Sequence, residues 1–156
     1  MSDGLYETLV AQCPVLLDRV EVTPPELAAA LVDSLVAAGH LPPERRDEAC
    51  AAVHEREVSG GSTALACGIA IPHGYLDVPE PLMAVGVHRA GIDCGAIDGS
   101  PSHIFILLLS RRETRAHIHI LANVNRRLLL PEVREGILQA RTPETVRALL
   151  LGDRFA

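Results

Sequence analysis

One histidine lies where side chains that carry out chemistry are commonly found, on a turn next to a rigid element. Residues 69–71 are a short apolar run typical of a buried strand. Pro72 ends that strand because it has no N–H to give to a sheet ladder. His73 follows between this rigid residue and the flexible Gly74. A neutral imidazole has one free lone pair and an ordinary pKa of about 6.5, so His73 can attack phosphorus without a separate base.

The same local pattern also fits a histidine with a structural role. Such a ring at a strand end would hydrogen-bond to the nearest carbonyl group and do no chemistry. The local pattern around His73 does not decide between a nucleophile and a structural side chain.

A second histidine lies on one face of a predicted helix. His117 shares an i, i+4, i+7, i+11 stripe with Leu121, Val124 and Leu128, so it should face the body of the protein near the start of that helix. His119 is two residues further on, about 200° around the helix. The two imidazoles therefore do not converge on one metal ion, and no H-E-x-x-H motif is present. His117 alone also fits an ordinary histidine at the edge of the core.

Composition and charge exclude several classes of function. With 156 residues, the chain is expected to form one domain over residues 1–156, with a core at about 5–152. The net charge of −6 argues against nucleic acid or an anionic membrane as partner. The chain has no Lys, which excludes Schiff-base chemistry. A local basic cluster remains at Arg111, Arg112 and Arg115, either a solvated helix start or a contact at the rim of a site.

The chain is expected to be a cytoplasmic protein without metal or disulfides. Its four cysteines, at positions 13, 50, 67 and 94, are widely spaced and form no C-x-x-C pair. Residues 1–9 carry acids and no basic residue, unlike a signal peptide. No apolar run approaches the roughly 18–20 residues of a membrane span.

The order of elements predicts an α/β fold with one small mixed sheet of about four or five strands flanked by helices. Thr23 and Thr142 each precede Pro and Glu, a strong signal for a helix start. A short edge strand is expected near residues 15–17, and a longer one at 82–88. Residues 103–109 are almost continuously apolar, as in a central strand buried on both faces. The connection over residues 91–102 is too short for a crossover helix, so some pairing should be antiparallel.

Several ordered motifs together resemble one known family. They are Arg56-Glu57, Ser62-Thr63, the GIAIPHG segment at 68–74, the turns at 91–93 and 96–99, the strand 104–109, HIHILA at 117–122 and LQARTPE at 138–144. This set resembles the IIA domain of the fructose/mannitol class of the bacterial phosphoenolpyruvate-dependent sugar phosphotransferase system (PTS), which includes nitrogen-regulatory IIA proteins.

The resemblance implies a role for four residues. His73 matches the phosphorylated histidine, and His117 matches a second histidine that supports it. Arg56 matches a basic residue that stabilises phosphate, and Thr63 falls near the phosphate pocket. If these roles hold, the two imidazole rings should lie within about 8 Å of one another. No cofactor is implied.

The resemblance leaves three functions open. The protein is a carrier that takes a phosphoryl group from the phosphohistidine of the small carrier HPr, or a nitrogen-branch equivalent, and passes it to a IIB protein. Alternatively, its phosphorylation state controls binding to regulatory partners. The third function is an interaction module that has lost transfer.

Two departures from the family pattern support that third function. Ala66 replaces the first Gly of a Gly-x-Gly segment, which is costly if the backbone there needs positive φ. The loop between Arg56 and Thr63 is one residue longer, with Gly60 and Gly61 absorbing the addition, which would displace Arg56.

Overall fold

The computed structural model describes residues 2–112 and 114–152, with side chains described from Gly4 onward. In these ranges six helices and five strands are found. The helices are α1 (Ser2–Gln12), α2 (Pro24–Ala37), α3 (Arg46–Gly60), α4 (Arg115–Leu128), α5 (Pro131–Gln139) and α6 (Pro143–Leu151). The strands are β1 (Val15–Leu16), β2 (Ile69–Ala70), β3 (His73–Tyr75), β4 (Leu82–Ile92) and β5 (Ser102–Ser110).

The five strands form one mixed sheet in the order β1-β4-β5-β2, and β3 also pairs with β5. Strands β4 and β5 are antiparallel, with Leu82 opposite Leu109. The pairs β1–β4, β2–β5 and β3–β5 are parallel. The predicted α/β class, number of strands, edge position of β1 and antiparallel connection are therefore confirmed.

Strand β5 separates two apolar cores, as its sequence predicted. Ile104, Ile106 and Leu108 pack into a core that also contains buried residues of α1, α4, α5 and α6. The alternate residues Phe105, Leu107 and Leu109 pack into the core shared with α2 and α3. A strand buried on both faces cannot shift register without moving apolar side chains between the two cores. It therefore makes a rigid support for the neighbouring β3.

The predicted helix starts at Thr23 and Thr142 are confirmed. Thr23 and Glu26 form a capping box at α2, and the Thr142 hydroxyl accepts from the Thr145 amide at α6. Helix α1 was missed, because residues 5–20 show little periodicity over a full window. It nevertheless buries Tyr6, Leu9 and Val10, which are spaced at i, i+3 and i+4.

The expectation that His73 lies on a turn after the strand that Pro72 ends is wrong, because His73 begins a further short strand. Pro72 interrupts the edge of the sheet but does not end it. The Leu108 amide donates to the Pro72 carbonyl at 3.1 Å, and β3 then pairs with Leu108, Leu109 and Ser110. The apolar residues before and after Pro72 thus form two short strands along the same neighbour, and His73 begins the second.

Two elements run further than expected, and the buried face of a third differs from the predicted stripe. Helix α3 continues through Gly60, and β4 continues to Ile92. On α4, Ile120 is fully buried, whereas Leu121 is only half-buried. In the described part of the chain, every helix is too short or too polar to cross a bilayer.

Replacing Gly74 by Ala should destabilise the fold, because Gly74 lies directly against α3. A Cβ there would lie 2.8 Å from the Val53 nitrogen and 2.9 Å from the Ala52 carbonyl carbon, both backbone atoms. We expect Gly74→Ala to lower the free energy of unfolding by about 1–3 kcal/mol in a urea titration. Gly4→Ala is the control, since nothing lies within 4 Å of its Cβ position. Equal stability of the two variants would contradict the close packing of β3 on α3.

Candidate active site

The two histidines singled out from the sequence lie together in the structure. Their ring centroids are 5.5 Å apart, with the ring planes at 60°. His73 begins β3, next to the end of β5, and the chain leaves β5 at Ser110 to enter α4. The Thr114 hydroxyl accepts from the His117 amide and so caps α4. The expected separation below about 8 Å is confirmed.

The tautomer of His73 follows from its hydrogen bond. Its Nδ1 lies 2.9 Å from the Ile71 carbonyl oxygen, which can only accept. Nδ1 therefore carries the proton, and in the neutral ring the lone pair is on Nε2. His73 as a whole residue is 8% exposed, so most of it is shielded from solvent. This geometry combines the two interpretations of His73: the carbonyl bond orients the ring, and the other nitrogen stays available for attack.

Burial lowers the pKa of His73 below its ordinary value, because desolvation disfavours the charged ring. The Ile71 carbonyl and the Glu57 carboxylate act in the opposite direction, and the charge of Arg56 lowers the pKa further. The imidazole is thus held neutral, the state in which Nε2 is a nucleophile.

An NMR titration of the His73 ring should therefore have its midpoint below about pH 6.5. Arg56→Ala should raise that midpoint, since removing the guanidinium makes the imidazolium less costly. Below pH 6.5 the unfolded chain binds more protons at this residue than the folded one. The contribution of His73 to stability is thus complete above pH 6.5 and decreases as the pH falls through the folded-state pKa. A midpoint at or above 6.5 would contradict the burial argument.

His117 is oriented by the last residue of β5. The Ser110 hydroxyl oxygen lies 2.7 Å from His117 Nδ1 and 3.1 Å from the Arg111 carbonyl. The Ser110 hydroxyl has one proton, which it gives either to the Arg111 carbonyl or to His117 Nδ1. In the second case the proton of the neutral His117 ring is on Nε2 and can be donated to a bound group. His117 is 4% exposed, so such a bond would form away from bulk water. Sequence reasoning missed Ser110, although it directly precedes the basic cluster.

His119 lies on a different side of α4, as its helical position predicted. Its Nε2 is 3.2 Å from the Asn123 amide nitrogen, one turn further along α4. Among the described residues, no cluster of His, Cys, Asp and Glu is arranged to hold a metal ion.

A third aromatic ring, which the sequence did not single out, completes the site. Tyr75, two residues after His73 on the same face of β3, has its ring centroid 5.9 Å from His73 and 5.8 Å from His117. The Arg112 guanidinium carbon lies 4.4 Å from the centroid of Tyr75. The i, i+2 spacing would have placed Tyr75 beside His73, had β3 been recognised as a strand.

Arg56 lies close enough for its charge to act on His73, but it contacts the extended loop. Its Nη1 donates to the Gly61 carbonyl at 3.3 Å, and a Cβ on Gly60 would lie 2.2 Å from Nη1. Gly60 therefore leaves room for the guanidinium, and the Gly61 carbonyl accepts its hydrogen bond. Arg56 also lines a small pocket of about 90 Å³ together with Tyr75 and Arg112.

Thr63 contacts an acidic residue, and among the described residues no hydrogen bond joins it to His73 or His117. Its hydroxyl donates to the Glu57 carboxylate, and its amide lies 3.4 Å from the other carboxylate oxygen. Thr63 and Glu57 both line a pocket of about 680 Å³. Its wall includes Pro72 but neither His73 nor His117. Thr63 thus contacts Glu57, and the charge of Glu57 acts on His73.

The backbone strain that the Gly-x-Gly comparison predicted at Ala66 is not found there. In the described chain, positive φ among residues other than Gly occurs at Asp18 and Cys67. The turn before β2 places its left-handed residues at Cys67 and Gly68, with φ of 67° and 78°. Ala66 therefore occupies an ordinary conformation, and the replacement of a glycine there costs the fold no backbone strain.

Comparison with known proteins identifies the family. A family model described as "Phosphoenolpyruvate-dependent sugar phosphotransferase system, EIIA 2" matches residues 18–152, and the chain belongs to this family. It is similar to the PTS system fructose-specific EIIA component of Haloferax volcanii, with 35% identity over 122 residues, 77% of each chain.

Two solved structures share the fold. Nitrogen regulatory protein IIA-Ntr from Neisseria meningitidis superposes with a TM-score of 0.78 at 25% identity, covering 92% of this chain and 99% of that one. Enzyme IIA for mannitol from Escherichia coli, solved in complex with phosphorylated IIB, gives a TM-score of 0.74 at 22% identity over 89% of this chain and 94% of that one. The second likeness shows the fold alone.

Proposed function

We propose that the protein is a PTS phosphocarrier in which Nε2 of His73 accepts a phosphoryl group. The observation that carries this proposal is the pair of buried imidazoles, 5.5 Å apart, with the lone pair of His73 directed away from its carbonyl partner. Membership of the EIIA 2 family supports it. The donor is the phosphohistidine of HPr or a nitrogen-branch equivalent, and the acceptor is a IIB protein.

The transfer balances without a cofactor. The phosphorus–nitrogen bond of the donor breaks as the bond to His73 Nε2 forms, and the lone pair returns to the donor imidazole. In the second step the phosphoryl group leaves Nε2 for the cysteine of the IIB protein. Phosphoryl transfer depends mainly on positioning and charge stabilisation. His117 supplies an N–H to the phosphoryl oxygens, Arg56 a positive charge, and Thr63 orients Glu57 behind the site. Because its partners are cytoplasmic, the protein would act in the cytoplasm.

A regulatory function is the second candidate. The similarity to nitrogen regulatory protein IIA-Ntr, at 25% identity over 92% of the chain, supports it. In this case the same His73 cycles between free and phosphorylated forms, and a partner binds one of them. A phosphate carries almost two negative charges, enough to switch docking at an exposed rim. The third candidate, an interaction module without transfer, loses its main support because Ala66 is unstrained.

Incubation with a phosphoenolpyruvate-charged mixture of general carrier proteins tests the proposal. We expect intact mass measured at neutral or basic pH to show one added phosphoryl group, which is lost in acid as a phosphoramidate should be. Subsequent addition of cognate IIB proteins separates a carrier, which is discharged, from a regulator, which keeps its phosphate. Absence of phosphorylation with several charged carriers would refute both functions and favour the interaction module.

A further inference from the structure

Arg112 lies beside the histidine pair through its contact with Tyr75. Its guanidinium carbon is 4.4 Å from the centre of the Tyr75 ring, a distance typical of a cation–π interaction. The Tyr75 ring in turn lies within 6 Å of both His73 and His117, measured between centroids. An exposed arginine thus has its charged group held at the edge of the buried site.

The neighbouring arginine is placed differently. Arg111 directs its Nε to the Asp77 carboxylate at 3.0 Å, and that ion pair lies in solvent. For Arg112, no carboxylate of the described residues lies within ion-pair distance, although Glu55 lines the same small pocket. Its donors are therefore available to another anion, whereas Arg111 is already paired.

Arg112, Arg56 and Tyr75 line one small pocket, which adjoins the histidine pair through Tyr75, since neither His73 nor His117 lines it. This pocket measures about 90 Å³, and Ala52, Glu55 and Ser59 complete its lining. Two arginines that line one small pocket favour an anion with several oxygens, because a planar guanidinium can donate two parallel hydrogen bonds.

We propose that Arg112 binds the oxygens of the phosphoryl group during transfer to and from His73, and that Tyr75 is the positioning residue that holds its guanidinium there. This inference rests on the proposed phosphocarrier function and adds two residues to it. Arg112 adds a second positive charge to the one that Arg56 supplies. Tyr75 acts only through Arg112. The face of the Tyr75 ring restricts the long Arg112 side chain, which would otherwise sample many conformations in solvent.

Rates of phosphorylation by the charged carrier mixture should separate the two arginines. We expect Arg112→Ala to slow transfer about five- to tenfold, as for the loss of a partly exposed charge-assisted hydrogen bond. Arg111→Ala removes the same charge one residue away and should change the rate by less than about twofold. Equal slowing in both variants would show a general effect of net charge on docking, and no slowing in either would also overturn the proposal.

A double-mutant cycle tests the role of Tyr75. Tyr75→Phe keeps the ring face and should transfer at nearly the wild-type rate, whereas Tyr75→Leu should be slowed about three- to fivefold. In an Arg112→Ala background, Tyr75→Leu should add less than about twofold. Full additivity would mean that Tyr75 supports the histidines directly and does not position Arg112.

Different results would refute the phosphocarrier function and the role of Arg112. A wild-type protein that accepts no phosphoryl group refutes the proposed function itself. A wild-type protein that is phosphorylated on His73, together with indistinguishable Arg112→Ala and Arg111→Ala rates, refutes only the role of Arg112.

Discussion

His73→Ala should be unable to accept a phosphoryl group from any charged carrier. The variant loses the one nitrogen lone pair that the structure directs away from a fixed carbonyl partner. With the Ser110 hydroxyl donating to His117 Nδ1, Nε2 of that neutral ring carries its proton and does not replace the lost lone pair, and Tyr75 has no nitrogen. Intact mass under basic conditions should show the unmodified protein after an incubation that fully phosphorylates the wild type.

His119→Ala is the matched control for this loss. His119 belongs to the same HIHILA segment as His117, but it contacts Asn123 on α4 and not the site. We expect phosphorylation within about twofold of wild type, the range of an ordinary surface substitution. Unchanged phosphorylation of His73→Ala would identify another acceptor, and equal loss in both variants would contradict the orientation of α4.

The sequence was most informative where one local rule acts without competition. Thr23 and Thr142 start helices because a capping hydroxyl, Pro and Glu all favour the same structure. The apolar run over residues 104–109 predicts a central strand because its alternate residues are apolar on both faces. His117 was placed facing inward by its helical spacing, and its approach to His73 follows from that orientation once the two elements lie beside β5.

The sequence was least informative where the structure depends on contacts distant in the chain. Helix α1 has too few apolar residues to show a period, and it is held by burial of Tyr6 and its neighbours. The strand character of His73–Tyr75 comes from pairing with β5, which overrides the break at Pro72. Tyr75 and Arg112 are in contact although they are 37 positions apart in the sequence. Neither spacing nor composition could predict that contact.

Ala66 shows how a pattern can mislead about backbone conformation. The comparison with the Gly-x-Gly segment predicted that a positive φ is required at the first position, which Ala66 occupies. In the structure the second and third positions, Cys67 and Gly68, have positive φ. A non-glycine residue there costs about 1–2 kcal/mol, so the strain exists but falls one residue later, away from the substitution that raised the concern.

His117→Ala should leave phosphorylation of His73 possible but much slower. Removing one buried hydrogen-bond donor from a developing charge typically costs about 10²-fold in rate, and His117 is 4% exposed, so water cannot easily take its place. Initial rates from the charged carrier mixture measure the effect. Ser110→Ala should have a smaller effect, about three- to tenfold, because it removes only the group that orients the ring.

His88→Ala separates this catalytic effect from the loss of a buried imidazole. His88 is 5% exposed and bonds to the Glu21 carbonyl at 2.8 Å, so its removal disturbs packing to a similar degree. It is expected to lower thermal stability as His117→Ala does while transferring phosphate at nearly the wild-type rate. If His88→Ala slowed transfer equally, the His117 effect would reflect general loosening of the sheet. If only His117→Ala is slow, and Ser110→Ala lies between it and wild type, the oriented Nε2–H of His117 is the group that the phosphoryl oxygens use.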